Sequence, residues 1–166
     1  MTATISVACL DMAGTTVRDD GSVMSAFRAA MDQAGLAQGT PGFDRAEQLV
    51  RVTMGQSKIE VFRQILGAEA AAAAANAAFE HHYARIVAAG GIAPLPGAVR
   101  TLQALRAAGV KICLATGFSP ATRTAVLDAL GWQPLVGLRP MERKGIGEDL
   151  GSSTTPFSPS ITGTRG

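Results

Sequence analysis

Two short apolar runs in widely separated parts of this chain most constrain its fold. Residues 4–12 (TISVACLDM) are rich in β-branched residues and end in a Gly-Thr-Thr turn, and residues 110–117 (VKICLATG) follow a helical pattern over 97–106. Both runs predict buried strands, and a helix leading into the second predicts a crossover between parallel strands. A further helix at about 120–130 and a third strand beginning at 133–136 continue the alternation. We therefore predict an α/β fold with a doubly wound, Rossmann-like parallel sheet.

A long helical segment interrupts this predicted sheet. About 80 residues separate the first strand from the helix at 97, whereas a crossover needs only a dozen or more. Helical spacing of apolar residues occurs within them at 23–34, 43–52, 57–66 and 69–87. The sequence therefore predicts a helical cap at residues 18–94, inserted into an α/β core made of residues 1–17 and 95–136.

The composition changes abruptly near residue 136. Residues 1–129 contain 30 alanines and residues 130–166 contain none. Residues 137–166 end in a run rich in Gly, Ser, Thr and Pro, which buries too little apolar surface to order itself. We expect a disordered or aberrant tail at 137–166, typical of a linker, a shifted reading frame or a truncated gene.

Charge and hydropathy exclude several classes of partner. Fifteen Lys and Arg oppose thirteen Asp and Glu without a basic run, which argues against nucleic acid. No apolar stretch reaches the roughly 18 residues that span a bilayer, and no signal peptide is recognisable, so we expect a cytoplasmic protein without membrane contact. Cys9 and Cys113 lie in apolar runs, and we expect both to be buried free thiols.

The ends of the two predicted strands should meet in one crevice beneath the cap, because ligands of such sheets bind at the carboxyl ends of the strands. Asp11 is the one charge in the first strand, and a carboxylate there is costly unless chemistry needs it. Gly14 and Thr15 in the following turn form a small phosphate cradle, or merely a capped turn. Thr116, with the amides of Gly117 and Phe118, is a second candidate for phosphoryl binding, with a plain Ser/Thr turn as the alternative.

Three motifs support a resemblance to a known family. DMAGTT at 11–16 resembles the first motif of the haloacid dehalogenase superfamily of phosphotransferases, in which the first Asp is the nucleophile. Ala13 stands where that motif has a second Asp, and this variant resembles phosphonoacetaldehyde hydrolase and the phosphonatase-like hydrolases. MGQSK at 54–58 and TGF at 116–118 are similar to two further motifs of those enzymes.

The resemblance implies a mechanism and a metal. Asp11 would attack phosphorus and form an aspartyl phosphate, and the amine of Lys58 would condense with a substrate aldehyde as an electron sink. Asp11 and the carbonyl of Ala13 would hold Mg²⁺, and Met54 would contact the substrate. From the residues themselves, SKIE at 57–60 predicts a capping box that places Lys58 in the first turn of a helix, where the helix dipole disfavours its ammonium.

The chain also departs from this family pattern. Val61 occupies the position of a His that follows the Lys in phosphonatases. The superfamily has a later basic residue and an acidic pair, for which the candidates are Arg143 or Lys144 and Glu148 or Asp149 in the predicted tail. We therefore expect the C-terminal part of the α/β core to be missing.

Three functional hypotheses follow from the sequence. The first is a Mg²⁺-dependent phosphonatase-like hydrolase of a small phosphonate or phosphate metabolite, with Asp11 as nucleophile. The second is a phosphatase of small phosphate esters, in which Lys58 binds the anionic end of the substrate. The third is a catalytically inactive fragment. The sequence is compatible with a homodimer formed through the cap or through a free sheet edge, and with a monomer.

Overall fold

The computed structural model describes residues 5–136. Two parallel strands form the sheet of its α/β part. Strand β1 (Val7–Asp11) pairs in parallel with β4 (Lys111–Ala115), so that Asp11 stands opposite Ala115. Helix α5 (Ala98–Ala107) leads into β4, and helix α6 (Pro120–Ala129) follows it. The predicted α/β fold, with its helix-to-strand crossover and parallel pairing, is confirmed.

Four helices occupy the chain between β1 and α5. They are α1 (Ser22–Gln33), α2 (Pro41–Val52), α3 (Lys58–Leu66) and α4 (Glu69–Ala88), close to the predicted helical segments. The start of α2 shows why the sequence folds this way: Thr40 Oγ1 accepts a hydrogen bond from the Phe43 amide, and Pro41 occupies the first helical position. Rings of Phe27, Phe62 and Phe79 meet where α1 and α3 pack on α4.

Helix α4 is the longest of these helices. Its alanine run has high helix propensity, and a buried stripe recurs every three or four residues: Ala72, Ala75, Phe79, Tyr83 and Val87. The stripe faces α1 and α3, which explains why a helix with so few large side chains is held in place. Among residues 5–136, no helix combines the length and the apolar character needed to cross a membrane.

A two-residue antiparallel ladder joins the two ends of the helical segment. Strand β2 (Val17–Arg18) pairs with β3 (Ala93–Pro94), and the Leu95 amide donates to the Thr16 carbonyl at 2.9 Å. This contact brings the chain that leaves β1 beside the chain that enters α5. The sequence did not predict it, because both strands are too short to show periodicity. The predicted cap and core boundaries at residues 17–18 and 94–95 coincide with this ladder and stay predictions.

The predicted third strand at 133–136 is wrong. Residues Gln133–Leu135 form a single 3-10 turn that packs near α5. Pro134 has no amide to donate to a sheet ladder, and Trp132, 2% exposed, anchors the turn by accepting from the Leu135 amide. The predicted tail at 137–166 lies outside the described residues.

The two cysteines differ in exposure. Cys113 is buried, as predicted, but Cys9 is exposed, and the expectation of a buried thiol there is wrong. The prediction that the first strand is buried is also wrong: among the described strands β1 pairs with β4 alone, and none of its residues is buried. Val7 on β1 and Ile5 just before it are exposed. Cys9 and Cys113 are register partners, and the neighbouring Cys113 thiol raises the pKa of Cys9.

Candidate active site

The turn after β1 positions Asp11 at the carboxyl end of that strand. The Met12 carbonyl accepts hydrogen bonds from the amides of residues 15–17, which closes the chain into a tight loop. Gly14 adopts a φ of 79°, a conformation that side chains with a β-carbon rarely take. Thr16 Oγ1 donates to the Asp11 carbonyl at 3.0 Å. These contacts fix the backbone of Asp11 where its carboxyl group meets the crevice.

The turn after β4 places Thr116 beside Asp11. Thr116 is buried, and its Oγ1 accepts from the Phe118 amide at 3.1 Å. Ser119 Oγ accepts from the Thr122 amide at 3.3 Å and caps α6. The amide of Phe118, expected to help bind a phosphoryl group, is therefore taken up within the turn. Thr116 Oγ1 accepts here and still has a hydroxyl proton to donate to a ligand.

Lys58 is the most unusual residue of the site, because its side chain is buried. It is 6% exposed, its Nζ donates to the Gln56 carbonyl at 3.4 Å, and it lies 5.7 Å from the ring centroids of both Phe27 and Phe118. Burial removes water from the ammonium and lowers the pKa of Lys58 to about 8, although the charges of Asp19 and Asp11 act in the opposite direction. A substantial fraction of this amine is neutral near physiological pH.

The start of α3 differs from the predicted capping box. The helix begins at Lys58 as expected, but the Ser57 side chain makes no capping hydrogen bond. Glu60 pairs with Arg63 instead of reaching back to the helix start. The dominant cause of the lowered Lys58 pKa is burial, whereas the sequence pointed to the helix dipole.

A pocket of about 240 Å³ brings these turns together under α3. Gly55 and Phe118 form part of its lining. The rest of the lining consists of six predicted site residues: Asp11, Ala13, Met54, Lys58, Thr116 and Gly117. Gly14 and Thr15 are exposed in the turn after β1 and are not among the lining residues. The predicted roles of all these residues remain predictions, but most of the residues share one cavity.

Three contributors to the site were not predicted from the sequence. Asp19 follows β2, and its charge acts on Lys58; burial raises the pKa of the Tyr83 phenol, and the Asp19 charge adds to that rise. Phe27 comes from the apolar face of α1, where its spacing indicated only a core residue. Gly55 was noted within a motif but not as part of the pocket wall. Only their spatial proximity to Lys58 and Asp11 identifies them.

The Mg²⁺ that the family resemblance implies can be tested against the donor set. Within residues 5–136, no three His, Cys, Asp or Glu side chains come together as a metal cluster. Asp11 and Ala13 both line the pocket, and a carboxylate with a backbone carbonyl is the hard oxygen pair that Mg²⁺ accepts. Because Mg²⁺ keeps several waters and commonly binds one or two carboxylates plus a substrate phosphate, the pair fits a largely hydrated ion.

Comparison with protein-family models identifies the family of this chain. The family model of haloacid dehalogenase-like hydrolases matches residues 5–139. The chain belongs to this family. The resemblance drawn from the motifs at 11–16, 54–58 and 116–118 is thereby confirmed at the level of the superfamily. Comparison with curated proteins found no match.

Solved structures of haloacid dehalogenase-like and related hydrolases share the fold. A hydrolase from Pseudomonas syringae is 22% identical, with a TM-score of 0.64 and coverage of 77% of this chain and 56% of its own. A predicted phosphoglycolate phosphatase from Haemophilus somnus is 18% identical, with a TM-score of 0.63, and the match covers 80% of this chain and 60% of that protein. A phosphonoacetaldehyde hydrolase-like protein from Oleispira antarctica is 24% identical, with a TM-score of 0.61, and the match covers 84% of this chain and 55% of that protein. The chain thus spans 55% to 60% of the length of these relatives.

Proposed function

We propose that this chain carries a phosphonatase-like site, which cleaves the phosphoryl group from a small phosphonate or phosphate metabolite through an aspartyl phosphate on Asp11. One observation carries the proposal: a buried lysine with a pKa of about 8 lines the same pocket as Asp11 and Thr116. A buried lysine without chemistry to perform destabilises a fold. The volume of about 240 Å³ suits a phosphoryl group joined to a few carbon atoms.

Lys58 is suited to form a Schiff base. With a pKa of about 8, roughly a quarter of the amine is neutral at pH 7.5, against about 0.1% for an ordinary lysine. The neutral nitrogen adds to a substrate aldehyde and, with loss of one water, gives an iminium. The positive iminium accepts the electron pair that a carbon leaving group would otherwise hold as a carbanion.

Asp11 then supplies the nucleophile. A carboxylate oxygen bonds to phosphorus, the phosphorus–carbon bond breaks, and its electron pair moves into the iminium to leave a neutral enamine on Lys58. Water hydrolyses the aspartyl phosphate to phosphate and free Asp11. Protonation of the enamine carbon and hydrolysis of the resulting iminium release the aldehyde product and restore the amine.

The other lining residues bind and orient the phosphoryl group. Thr116 Oγ1 accepts from the Phe118 amide and keeps its hydroxyl proton for a phosphoryl oxygen, and Gly117 lies beside it in the pocket lining. Asp11 and the carbonyl of Ala13 would hold Mg²⁺, which neutralises phosphoryl charge as an anion approaches. Met54 closes the side of the pocket formed by the loop before α3.

Two features bear on the alternative of an ester phosphatase. Ala13 offers no side-chain acid to protonate an alcohol leaving group, which favours a reaction that expels carbon into an electron sink. Val61, buried in α3, leaves the amine without the His of the phosphonatase pattern, which weighs against the strict activity. The substrate range therefore decides between the two hypotheses.

The decisive experiment measures phosphate release from phosphonoacetaldehyde and from a panel of small phosphate esters, with and without Mg²⁺. Asp11→Asn should abolish release from every substrate, because no carboxylate remains to attack phosphorus. Lys58→Arg keeps a positive charge but cannot form an imine, so it should abolish phosphonate cleavage. Lys111→Arg, at the opposite end of β4, is the matched control and should behave as the unmodified chain.

The outcomes separate the three hypotheses. Phosphonate cleavage lost in Lys58→Arg, together with borohydride trapping of substrate on Lys58, supports the Schiff-base mechanism. Ester hydrolysis that survives Lys58→Arg favours the ester phosphatase. No release from folded protein contradicts the proposal and favours an inactive chain.

A further inference from the structure

The turn after β4 and the loop before α3 come into close backbone contact at Gly117. A β-carbon built at Gly117 would overlap the Gln56 carbonyl oxygen and lie 2.7 Å from the Gln56 carbonyl carbon and 2.9 Å from the Gly55 carbonyl oxygen. Real β-carbons essentially never come that close to another backbone atom. The two backbones therefore touch, and only glycine at 117 allows the contact.

The same Gln56 carbonyl also holds Lys58. It accepts the hydrogen bond from Lys58 Nζ at 3.4 Å, so one peptide group faces the Gly117 backbone and the amine of Lys58. The loop that carries this peptide is closed by the Gln56 amide, which donates to the Thr53 carbonyl at 3.0 Å. A displacement of this loop at Gly117 is thus transmitted directly to Lys58.

The rings around Lys58 depend on the same contact. Phe118, next to Gly117 in the chain, lies 4.8 Å from the Tyr83 ring by centroid distance and covers the Lys58 ammonium from the β4 side, while Phe27 covers it from α1. If the loop at 54–57 moved away from the turn at 116–118, water would enter between Phe118 and Lys58. The burial that makes the amine unusual would then be lost.

We propose that Gly117 is a positioning residue for Lys58: its bare α-carbon lets the Gln56 peptide rest on the core turn and thereby holds the amine in the pocket facing Asp11. This role goes beyond the phosphate-binding role predicted for Gly117. It rests on the proposed function only in taking Lys58 as the reactive amine.

The test uses an aldehyde without phosphorus, so that it is independent of phosphoryl transfer. Acetaldehyde and borohydride are applied to the full chain, and ethylation of Lys58 is followed by peptide mass spectrometry. In Gly117→Ala we expect trapping at Lys58 to fall at least about tenfold, since a misplacement of one ångström can cost about 10²-fold in reactivity. The pH midpoint of trapping should also rise above that of the unmodified chain, because water regained by the amine favours its ammonium, a change that a loss of overall stability would not produce.

Two control variants isolate the backbone contact. Gly42→Ala adds the same methyl group in α2, where the nearest foreign atom would be a Leu36 methyl at an ordinary 3.5 Å, and should trap as the unmodified chain does. Gln56→Ala removes an exposed side chain and retains the carbonyl, and it should also trap normally. Loss of trapping in Gln56→Ala would overturn the assignment of the contact to the backbone.

The outcomes distinguish this inference from the proposed function. Trapping that is equal in Gly117→Ala and the unmodified chain overturns the positioning role and leaves the Schiff-base proposal intact. No trapping in the unmodified chain overturns the proposed function and this role together. If Gly117→Ala does not fold, hydrogen exchange in the unmodified chain decides: the amides of Gln56 and Phe118 should open with the same free energy, and unequal opening refutes the contact.

Discussion

Replacing Lys58 by methionine should stabilise this protein at neutral pH. Methionine keeps an unbranched chain of similar length between Phe27 and Phe118, where its sulfur makes favourable aromatic contacts, and it removes a buried charge. The pKa of Lys58 falls from 10.5 in a free chain to about 8 in the folded protein, which corresponds to about 3 kcal/mol at 1.36 kcal/mol per pH unit. For a chain of this size, that free energy raises Tm by roughly 6–12 °C.

The pH dependence identifies the cause. Below pH 8 both the folded and the unfolded chain hold the proton on Lys58, and the folded state bears the full cost of burying it. Between pH 8 and 10.5 the folded chain releases this proton while the unfolded chain keeps it, so the free energy of unfolding rises with pH across that interval. The advantage of Lys58→Met should therefore be complete below pH 8 and disappear near pH 10.5.

The assay is urea denaturation of both proteins at pH 7, 9 and 10.5. Effects of other titrating groups cancel in the difference between the two proteins, because both carry the same groups elsewhere. A Lys58→Met variant that is less stable than the unmodified chain at pH 7 would refute the reasoning. A stability difference that stays constant from pH 7 to 10.5 would show that packing, and not the buried charge, is its source.

Three further changes have expected outcomes. Asp11→Asn removes a charge that raises the pKa of Lys58, so the midpoint for ethylation of Lys58 should move below about pH 8, and an unchanged midpoint contradicts the coupling. Phe62→Ala empties a fully buried site and should lower the free energy of unfolding by about 3–5 kcal/mol in urea. Thr116→Val leaves the buried Phe118 amide without its acceptor and should cost about 1–3 kcal/mol, whereas Thr116→Ser should restore most of the loss.

The regular elements were predictable where local chemistry determines them. The first and last helices of the described chain begin and end within one or two residues of their predicted bounds, and α2 begins at Pro41, two residues before its predicted start at 43. The parallel pairing followed from the order of strand, helix and strand. The helix bounds depend on residues that are neighbours in the chain, and the pairing depends on the order of the elements along it.

The errors arose where distant residues decide the outcome. The segment at 133–135 has apolar residues but becomes a 3-10 turn, because Pro134 cannot join a ladder and the carbonyl of the buried Trp132 accepts from the Leu135 amide. Cys9 was expected to be buried, yet its exposure depends on which other parts of the chain cover β1. Strands β2 and β3 form only because the ends of the helical segment meet. None of these causes has a periodic sequence signal.

The amino-acid sequence by itself determined the family, the fold class and the set of reactive groups, because the motifs at 11–16, 54–58 and 116–118 end strands or begin a helix by local rules. Only the tertiary structure decided the state of Lys58. Its lowered pKa, its two covering rings and the backbone contact at Gly117 depend on segments that lie far apart in the chain. Desolvation and close packing are properties of assembled surfaces, so no local pattern of residues encodes them.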